Sequence, residues 1–302
     1  MKSEKAQAQQ PSSTDSAFPV VTPSVWHLTV AYDGTAYHGW QKQPSQITLQ
    51  SVLEHRLRLM FHHPELEISG TSRTDAGVHA LDQQISFPDP GTRPLTPERL
   101  CFSLNRWLPP DLRVLQVWLQ PPEFHARFSA RGKAYTYVVT GAEPVSPFIV
   151  RYAWHYRRPL RLDLLQQEAQ LFVGTHDFAS FGNNPRREVL STVRTIYRLE
   201  VVEAGGLIYF NVVGDGFLYK MVRSLVGHLL QVGCGRLPAG RALEVLAAQD
   251  RSAAGETAPP HGLFLAKVFY EDGAWRDYRP VLPPFAGLAP ESRLAEFAGV
   301  IS

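Results

Sequence analysis

The chain has 302 residues, of which 44% are hydrophobic, and this is enough to bury one large core or two modest ones. Only 19% of the residues are charged and 11% are aromatic, so the composition excludes a disordered or fibrous protein. The formal net charge of +2 is too small to mark the whole chain as a nucleic-acid binder. That function would need basic residues concentrated on one face.

The cysteines and the N-terminal residues bear on the cellular setting. Cys101 and Cys234 are the only two cysteines and have no CxxC spacing, which argues against a disulfide framework, a zinc site or an iron–sulfur cluster. Residues 1–24 are rich in Ser, Gln, Ala and Pro and lack a signal-peptide profile, and no run of about 18 apolar residues occurs. We therefore predict a disordered leader and a soluble cytoplasmic protein without a membrane span.

In the first third of the chain, hydrophobic periodicity and capping residues predict two helices and several strand-like segments. Apolar residues that alternate with polar ones indicate strands, and the 3.6-residue period after Thr or Thr-Pro indicates helices. The predicted elements are a strand from Val25 to the Asp33-Gly34 turn, a helix capped by Thr48 and ending before Pro64, strand-like ends of segment 66–87, and a helix capped by Thr96 and stopped by Pro109-Pro110.

The remaining sequence repeats this pattern loosely. The elements predicted there are strands at 134–140 and near 152–156, a helix at 163–173 closed by Gly174, strands at 195–202 and 207–213 joined by a Gly205-Gly206 turn, a helix at about 217–232, and a strand at 263–270. Strands and helices are mixed without a strict βαβ rhythm or a GxGxxG motif, so we predict an α+β fold with a mainly antiparallel sheet.

The loose repetition also predicts a domain organisation. After the leader at 1–24 we expect an N-terminal half at 25–120 and a related C-terminal half at 121–272. Residues 273–302 are rich in proline, and we expect them to form a peripheral tail.

A polar loop at 70–80 stands between two apolar segments and contains Asp75. Loops on a rigid scaffold often carry catalytic groups. An aspartate in such a loop acts as a nucleophile, a general base or a metal ligand, or it only accepts backbone hydrogen bonds in an Asx-turn. Spacing alone favours the turn.

The middle of the chain is locally basic. Residues 121–161 contain seven Lys or Arg and two Glu, with eight aromatic residues interleaved. Cations beside ring faces suit RNA phosphates and unstacked bases. The same pattern also fits a solvated strand face above core aromatics.

The run Arg-Thr-Asp-Ala-Gly-Val-His-Ala at 73–80 resembles the signature loop of the TruA family of pseudouridine synthases. Six further segments resemble that family in the same order, so that the likeness spans residues 26–270. They are YDGT at 32–35 with GWQ at 39–41, FHARFSA at 124–130, KxYxY at 133–137, GxHDFxSF at 174–181, FLYxMVRxLVG at 217–227 and APPxGL at 258–263. One departure is Ser72, where the family often has glycine.

The resemblance implies roles for individual residues. Asp75 would be the nucleophile, Arg223 its ion-pair partner, and Tyr135 the residue that stacks on uracil or transfers a proton. Without the resemblance, Arg223 would be a helix-surface charge and Tyr135 a core residue. The implied RNA contacts, with Tyr135, are Arg73, Arg127, Arg131, Lys133 and His79, together with Arg157 and Arg158.

The implied activity is a cofactor-free isomerisation of uridine to pseudouridine in the anticodon stem-loop of tRNA, at positions 38, 39 and 40. A homodimer with a cleft between the two halves of each chain is implied as well. We expect no metal, since His55, His62 and His63 lack the carboxylate or cysteine that completes a metal motif. Two rivals stay open: a non-catalytic tRNA-binding or chaperone protein, and a hydrolase of small molecules.

Overall fold

The computed structural model describes residues 24–183 and 190–280. Within them, ten strands belong to one sheet and five α-helices flank it. The strands are β1 (Val25–Tyr32), β2 (Ser69–Gly70), β3 (His79–Pro88), β4 (Leu112–Gln120), β5 (Gly132–Thr140), β6 (Trp154–His155), β7 (Gly174–Asp177), β8 (Val193–Ala204), β9 (Leu207–Gly214) and β10 (Leu263–Phe269). The helices are α1 (Leu49–Phe61), α2 (Pro97–Trp107), α3 (Leu162–Gln170), α4 (Met221–Gly233) and α5 (Arg241–Ala248).

The sheet has the strand order β4-β1-β3-β10-β5-β9-β8-β7, with β2 beside β3 and β6 beside β5. Most pairs are antiparallel; the parallel ones are β10 with β3 and β5 with β6. The α+β class and the mainly antiparallel sheet are therefore confirmed. Strand β10 comes late in the chain yet lies between β3 and β5, so it joins the early and late strands into one sheet. The division into related halves at residue 120 stays a prediction.

One face of the sheet carries the helices. On β5, Tyr135, Tyr137 and Val139 belong to the largest buried cluster, which includes residues of all five helices. Ala134 and Val138 point to the opposite face and belong to two smaller clusters. This is the two-residue alternation of a strand that is covered on both sides. None of the helices in the described ranges is long and apolar enough to cross a membrane.

Several predicted elements are confirmed close to their expected bounds. The Thr48 side chain accepts the Ser51 N–H and caps α1. Thr96 caps α2, in which Pro97 occupies the first turn, where a missing N–H costs nothing. Strands β8 and β9 form the expected hairpin around Gly205 and Gly206, both with positive φ. The leader and residues 281–302 of the expected tail lie outside the described residues, except for Ser24.

Three predicted elements are wrong in extent. The strand near 152–156 is reduced to the two residues of β6. Helix α3 ends at Gln170, and Gly174 begins β7 instead of closing the helix. Helix α4 begins at Met221, because Lys220 adopts a left-handed backbone with φ of 62° and cannot continue a helix backwards to residue 217.

Strand β4 and helix α5 were not predicted. In β4 the alternation is broken at Leu115: Thr29 of β1 pairs with Gln116, and Val30 pairs with Val114. Leu115 is thus the extra residue of a β-bulge, and it is exposed. A bulge shifts the inward face by one residue, so the sequence of β4 shows no clean period of two.

A buried histidine stabilises the junction of β1, β3 and β4. His27 is 5% exposed and lies 4.4 Å from the Phe124 ring and 5.0 Å from the Trp118 ring, measured between centroids. Its Nε2 donates to Gln84 Oε1 at 2.7 Å, an oxygen that also accepts the Thr29 hydroxyl. Burial lowers the pKa of His27 from 6.5 to about 4. The folded chain therefore holds this ring neutral at pH values where the unfolded chain protonates it.

We expect this histidine to make the fold sensitive to acid. Because the pKa is lower in the folded chain, stability is full above pH 6.5 and decreases as the pH falls toward 4. Between pH 7.5 and pH 5 the free energy of unfolding should fall by about 2 kcal/mol from this group. Urea unfolding at the two pH values measures the loss. His27→Gln, which keeps a donor for Gln84, should lose about 2 kcal/mol less; an equal loss in both proteins would contradict the assignment.

Candidate active site

The loop between β2 and β3 carries Asp75, and its backbone is held by surrounding side chains. The Gln83 amide bonds both backbone groups of Ser72, accepting its N–H at 3.1 Å and donating to its carbonyl at 2.7 Å. Trp40 donates its backbone N–H to the Thr74 carbonyl at 3.0 Å. The Tyr32 hydroxyl lies 2.8 Å from Thr74 Oγ1. These contacts fix the residues on the N-terminal side of Asp75, which is the preorganisation that a catalytic loop needs.

Two glycines let the segment after β1 approach this loop. A Cβ on Gly34 would lie 2.0 Å from the Val78 carbonyl oxygen. Gly39 has φ of 86°, and a Cβ there would lie 2.7 Å from the Thr74 carbonyl oxygen. Only glycine fits such close backbone contact, and at Gly39 the positive φ requires it as well.

Asp75 and Arg223 form an ion pair between the loop and the first turn of α4. Arg223 Nη1 lies 2.5 Å from Asp75 Oδ2, and the two side chains are 11% and 14% exposed. Asp75 Oδ1 has no partner among the described residues. The structure shows one hydrogen bond within the pair, from Nη1 to Oδ2, while Nε is bonded elsewhere. A guanidinium at this distance stabilises a charged carboxylate, and one carboxylate oxygen stays available.

Residues 256–260, here called the strap, position Arg223. The Arg223 Nε donates to the Ala258 carbonyl at 2.7 Å, and the Ala258 N–H donates back to the Arg223 carbonyl at 3.0 Å. A Cβ on Gly227 would lie 1.9 Å from a backbone oxygen of the strap, so α4 packs directly against it. The Tyr137 hydroxyl donates to the next carbonyl of the strap at 2.8 Å. The guanidinium is therefore oriented before any substrate binds.

Tyr135 lies on β5 beside this pair and is 9% exposed. Its ring meets Phe217 edge-on, with centroids 5.2 Å apart. Burial and, to a lesser extent, the negative charge of Asp75 together raise the pKa of Tyr135 to about 12, and the neighbouring Ser72 hydroxyl opposes this shift. The phenol is thus neutral near pH 7. The Ser72 hydroxyl is buried beside the phenol.

The chain is similar to one known protein family and to several curated proteins. The family model described as tRNA pseudouridine synthase matches residues 28–129 and 169–271. The protein named tRNA pseudouridine synthase A of Methylacidiphilum infernorum is 41% identical over 81% of this chain and 95% of its own length. Proteins of the same name from an Exiguobacterium species and from Streptococcus thermophilus are 44% and 41% identical, over 81% and 82% of this chain and 97% and 99% of their own lengths.

The chain belongs to the tRNA pseudouridine synthase family. The resemblance seen in the sequence is confirmed, together with the enzyme class it implied, an isomerase. The matched ranges include the loop of Asp75, the helix of Arg223 and the strap.

Lys133 forms a hydrogen bond to the start of the loop that carries Asp75. It precedes Tyr135 by two residues on β5, so both side chains lie on the same face of the sheet. Its Nζ donates to the Thr71 carbonyl at 2.9 Å. Burial, together with the positive charges of Arg127 and Arg194, lowers the pKa of Lys133 to about 8. The sequence predicted Lys133 as an RNA contact, and the structure adds a hydrogen bond from Lys133 to the loop of Asp75.

The other basic residues implied as RNA contacts are distributed over different surfaces. Arg73 and Arg127 are exposed, and Arg127 lies over the exposed Phe128 ring at 5.6 Å. Arg131 is exposed and lies 3.7 Å from Asp272. Arg157 and Arg158 line a cavity beside the far end of β5 with Thr140, five residues from Tyr135. The structure therefore does not bring the last two to the site of Asp75.

His79 is buried, at 1% exposure, although the sequence named it as an RNA contact. Its Nδ1 lies 3.1 Å from both the Gly34 backbone nitrogen and Asp33 Oδ1, its Nε2 lies 3.1 Å from the His261 carbonyl oxygen, and its ring stacks on Phe264. Both ring nitrogens are engaged within the protein. This position favours a role in joining the C-terminal end of the loop to the segment after β1 and to His261 over a direct contact with RNA.

Sequence reasoning missed the residues that support Asp75 and Arg223. Tyr32, Trp40 and the APPxGL run appeared in the family resemblance without a role, and Gln83 gave no signal. The structure shows that they hold the loop and Arg223 by hydrogen bonds. Among the residues it describes, no group of three His, Cys, Asp or Glu side chains could hold a metal ion.

Proposed function

We propose that this protein converts uridine to pseudouridine in tRNA, at positions 38, 39 and 40 of the anticodon stem-loop, with Asp75 as the nucleophile. The observation that carries the proposal is the Asp75–Arg223 pair, in which one carboxylate oxygen is held and the other has no partner among the described residues. Binding alone needs no carboxylate here, since a negative charge repels phosphates. Family membership supports tRNA as the substrate.

The reaction breaks the N1–C1′ bond of uridine, turns the uracil and joins its C5 to C1′, while the C5 proton leaves and N1 gains a proton. A carboxylate suits the first step because it can bond covalently to the substrate and later leave. Asp75 Oδ1 is the oxygen placed to attack, at ribose C1′ or at uracil C6. Arg223 holds Oδ2 and steadies the carboxylate when a covalent intermediate breaks down.

Tyr135 would face the detached uracil. An aromatic ring can stack on a base, and a phenol can donate a hydrogen bond or accept a proton in a concerted step. The pKa of about 12 favours a neutral phenol in the resting enzyme. We therefore assign to the neutral Tyr135 phenol stacking on the bound uracil and hydrogen bonding to it, and we confine any role as a base to the step in which the C5 proton leaves.

The substrate uridine lies in a stem or loop and must be flipped out to reach Asp75. We propose Arg73, which is exposed and precedes Asp75 by two residues, as a contact to the RNA around this uridine. Homodimerisation and a cytoplasmic location belong to the proposal through the family resemblance. The two free thiols, Cys101 and Cys234, suit a reducing compartment.

The experiment that tests the function is tritium release from tRNA transcripts labelled at C5 of uridine. The wild-type chain should release tritium from a tRNA with uridine at position 38, 39 or 40, with no added metal or cofactor. A transcript with cytidine at those three positions is the matched control and should release none. A protein that binds the transcripts but releases no tritium from a panel of tRNAs would be a tRNA-binding or chaperone protein instead.

A further inference from the structure

A group of three cations, Arg127, Lys133 and Arg194, lies beside the active site and has no assigned role as a unit. Lys133 pairs with Gly214 of β9, and Gly214 pairs in turn with Ile196 of β8. Cross-strand partners share a face, and so do residues two apart on one strand. Arg194 therefore lies on the same face as Lys133 and Tyr135.

Hydrogen bonds of Ala126, the residue before Arg127, connect Arg127 to Lys133. The Thr71 hydroxyl donates to the Ala126 carbonyl at 2.9 Å, and the Thr71 carbonyl accepts the Lys133 ammonium at 2.9 Å. The proximity of both arginines to Lys133 agrees with the lowered pKa of that lysine, to which Arg127 and Arg194 both contribute. The three residues come from the segment before β5, from β5 and from β8.

The group has spare hydrogen-bond donors. Among residues 24–183 and 190–280, no carboxylate forms an ion pair with any of the three cations. An ammonium has three donors, and the Thr71 carbonyl is the only acceptor that the described residues offer to Lys133. The Asp215 carboxylate accepts the Thr195 N–H, and the partners of Arg194 among the described residues are the Ser191 and Val193 carbonyls. Concentrated positive charge without a counter-ion attracts an anion.

The position of the group indicates which anion fits. Lys133 and Tyr135 are two residues apart on β5, about 7 Å along the strand. The Phe217 ring lies over Gly214 and meets Tyr135 edge-on, so the cations and the tyrosine border one continuous surface. A nucleotide whose base stacks on Tyr135 carries its backbone phosphates at a comparable distance from that base.

We propose that Arg127, Lys133 and Arg194 form a subsite for one backbone phosphodiester flanking the flipped uridine. This rests on the proposed function, since it requires an RNA substrate at Tyr135. The subsite anchors the nucleotide while its base is detached, and Arg194 is the member that nothing in the sequence indicated. If one phosphate contacts all three cations, its charge and the cations contribute to binding together. Removal of a cation should then reduce the loss of affinity that follows from neutralising the phosphate.

The test uses Arg194→Gln, because Lys133 also bonds the catalytic loop and its variants would move Asp75. The matched control is Arg99→Gln, an exposed arginine on α2 at the opposite edge of the sheet. Binding of an anticodon stem-loop RNA is measured over a range of salt. Arg194→Gln should weaken binding about five- to tenfold and reduce the salt slope by about 1, while Arg99→Gln should change neither.

A second measurement identifies the phosphate. Stem-loops with one neutral methylphosphonate at successive linkages are bound to each protein. One linkage beside the target uridine should weaken wild-type binding about five- to tenfold and Arg194→Gln binding less than about twofold. Additive penalties at every linkage, or equal behaviour of the two variants, would overturn the subsite while wild-type tritium release persists. Wild-type protein that neither binds nor releases tritium would overturn the proposed function and this subsite together.

Discussion

Replacing Asp75 with asparagine is expected to abolish tritium release from C5-labelled tRNA while RNA binding stays within a few-fold of wild type. Asparagine has the same shape, and its amide oxygen can still accept the Arg223 Nη1 donor that Asp75 Oδ2 accepts. It cannot form or release a covalent bond as a carboxylate does. The rate of a single turnover should fall by at least roughly four orders of magnitude.

The control for Asp75→Asn is Asp163→Asn, which removes one negative charge from an exposed aspartate paired with Arg161. That variant should keep its full rate, because surface ion pairs contribute little. If Asp75→Asn kept more than about one hundredth of the wild-type rate, the carboxylate would not be the nucleophile. Circular dichroism and urea unfolding of the variant exclude the trivial cause, a chain that no longer folds.

Local signals in the sequence were enough for much of the secondary structure. The starts of α1 and α2 could be predicted from Thr48 and Thr96, because a helix cap and the 3.6-residue period involve only residues that are close in the chain. The hairpin of β8 and β9 follows from Gly205-Gly206 in the same way. The predicted start of α4 was wrong because of a single backbone angle. Lys220 has a left-handed φ, so the helix begins after it, and Leu218 is buried without being helical.

The order of strands could not be predicted. Strand β10 lies parallel to β3 over Phe264 and Leu265, although 175 or more residues separate them in the chain. The hydrophobic pattern of a strand does not predict such a pairing, because the pairing depends on which strand edges stay free after the other strands have paired. The bulge at Leu115 had the same effect on β4, since it exists only in register with β1.

Part of the candidate site could be predicted from the sequence, and part of it depends on contacts between distant residues. Asp75, Arg223 and Tyr135 came from the resemblance, and the structure brings them together from a loop, a helix and a strand. The orientation of the Arg223 guanidinium could not be predicted, because its Nε donates to a strap carbonyl that lies 35 residues further along the chain. The same holds for Arg194, whose place beside Lys133 is set by two strand registers.

Replacing Arg223 with methionine is expected to damage both stability and catalysis. Methionine fills much of the volume and packs with the apolar residues of α4, but it leaves the Asp75 carboxylate, which is 14% exposed, without its cation. Breaking such a pair costs about 2 to 3 kcal/mol when it is nearly buried. The single-turnover rate should fall by about two to three orders of magnitude, since the carboxylate is no longer held in place.

A double variant separates the ion pair from general packing. Asp75→Asn combined with Arg223→Met removes the unpaired charge as well as its partner, so it should unfold at a higher urea concentration than Arg223→Met alone. Arg223→Lys keeps the charge but cannot serve Asp75 and the Ala258 carbonyl with a planar fork, and its rate should lie between those of wild type and Arg223→Met. Urea unfolding and single-turnover tritium release measure both effects. If the double variant were no more stable than Arg223→Met, the loss would come from packing of α4 against the strap, and the charge of Asp75 would not depend on Arg223.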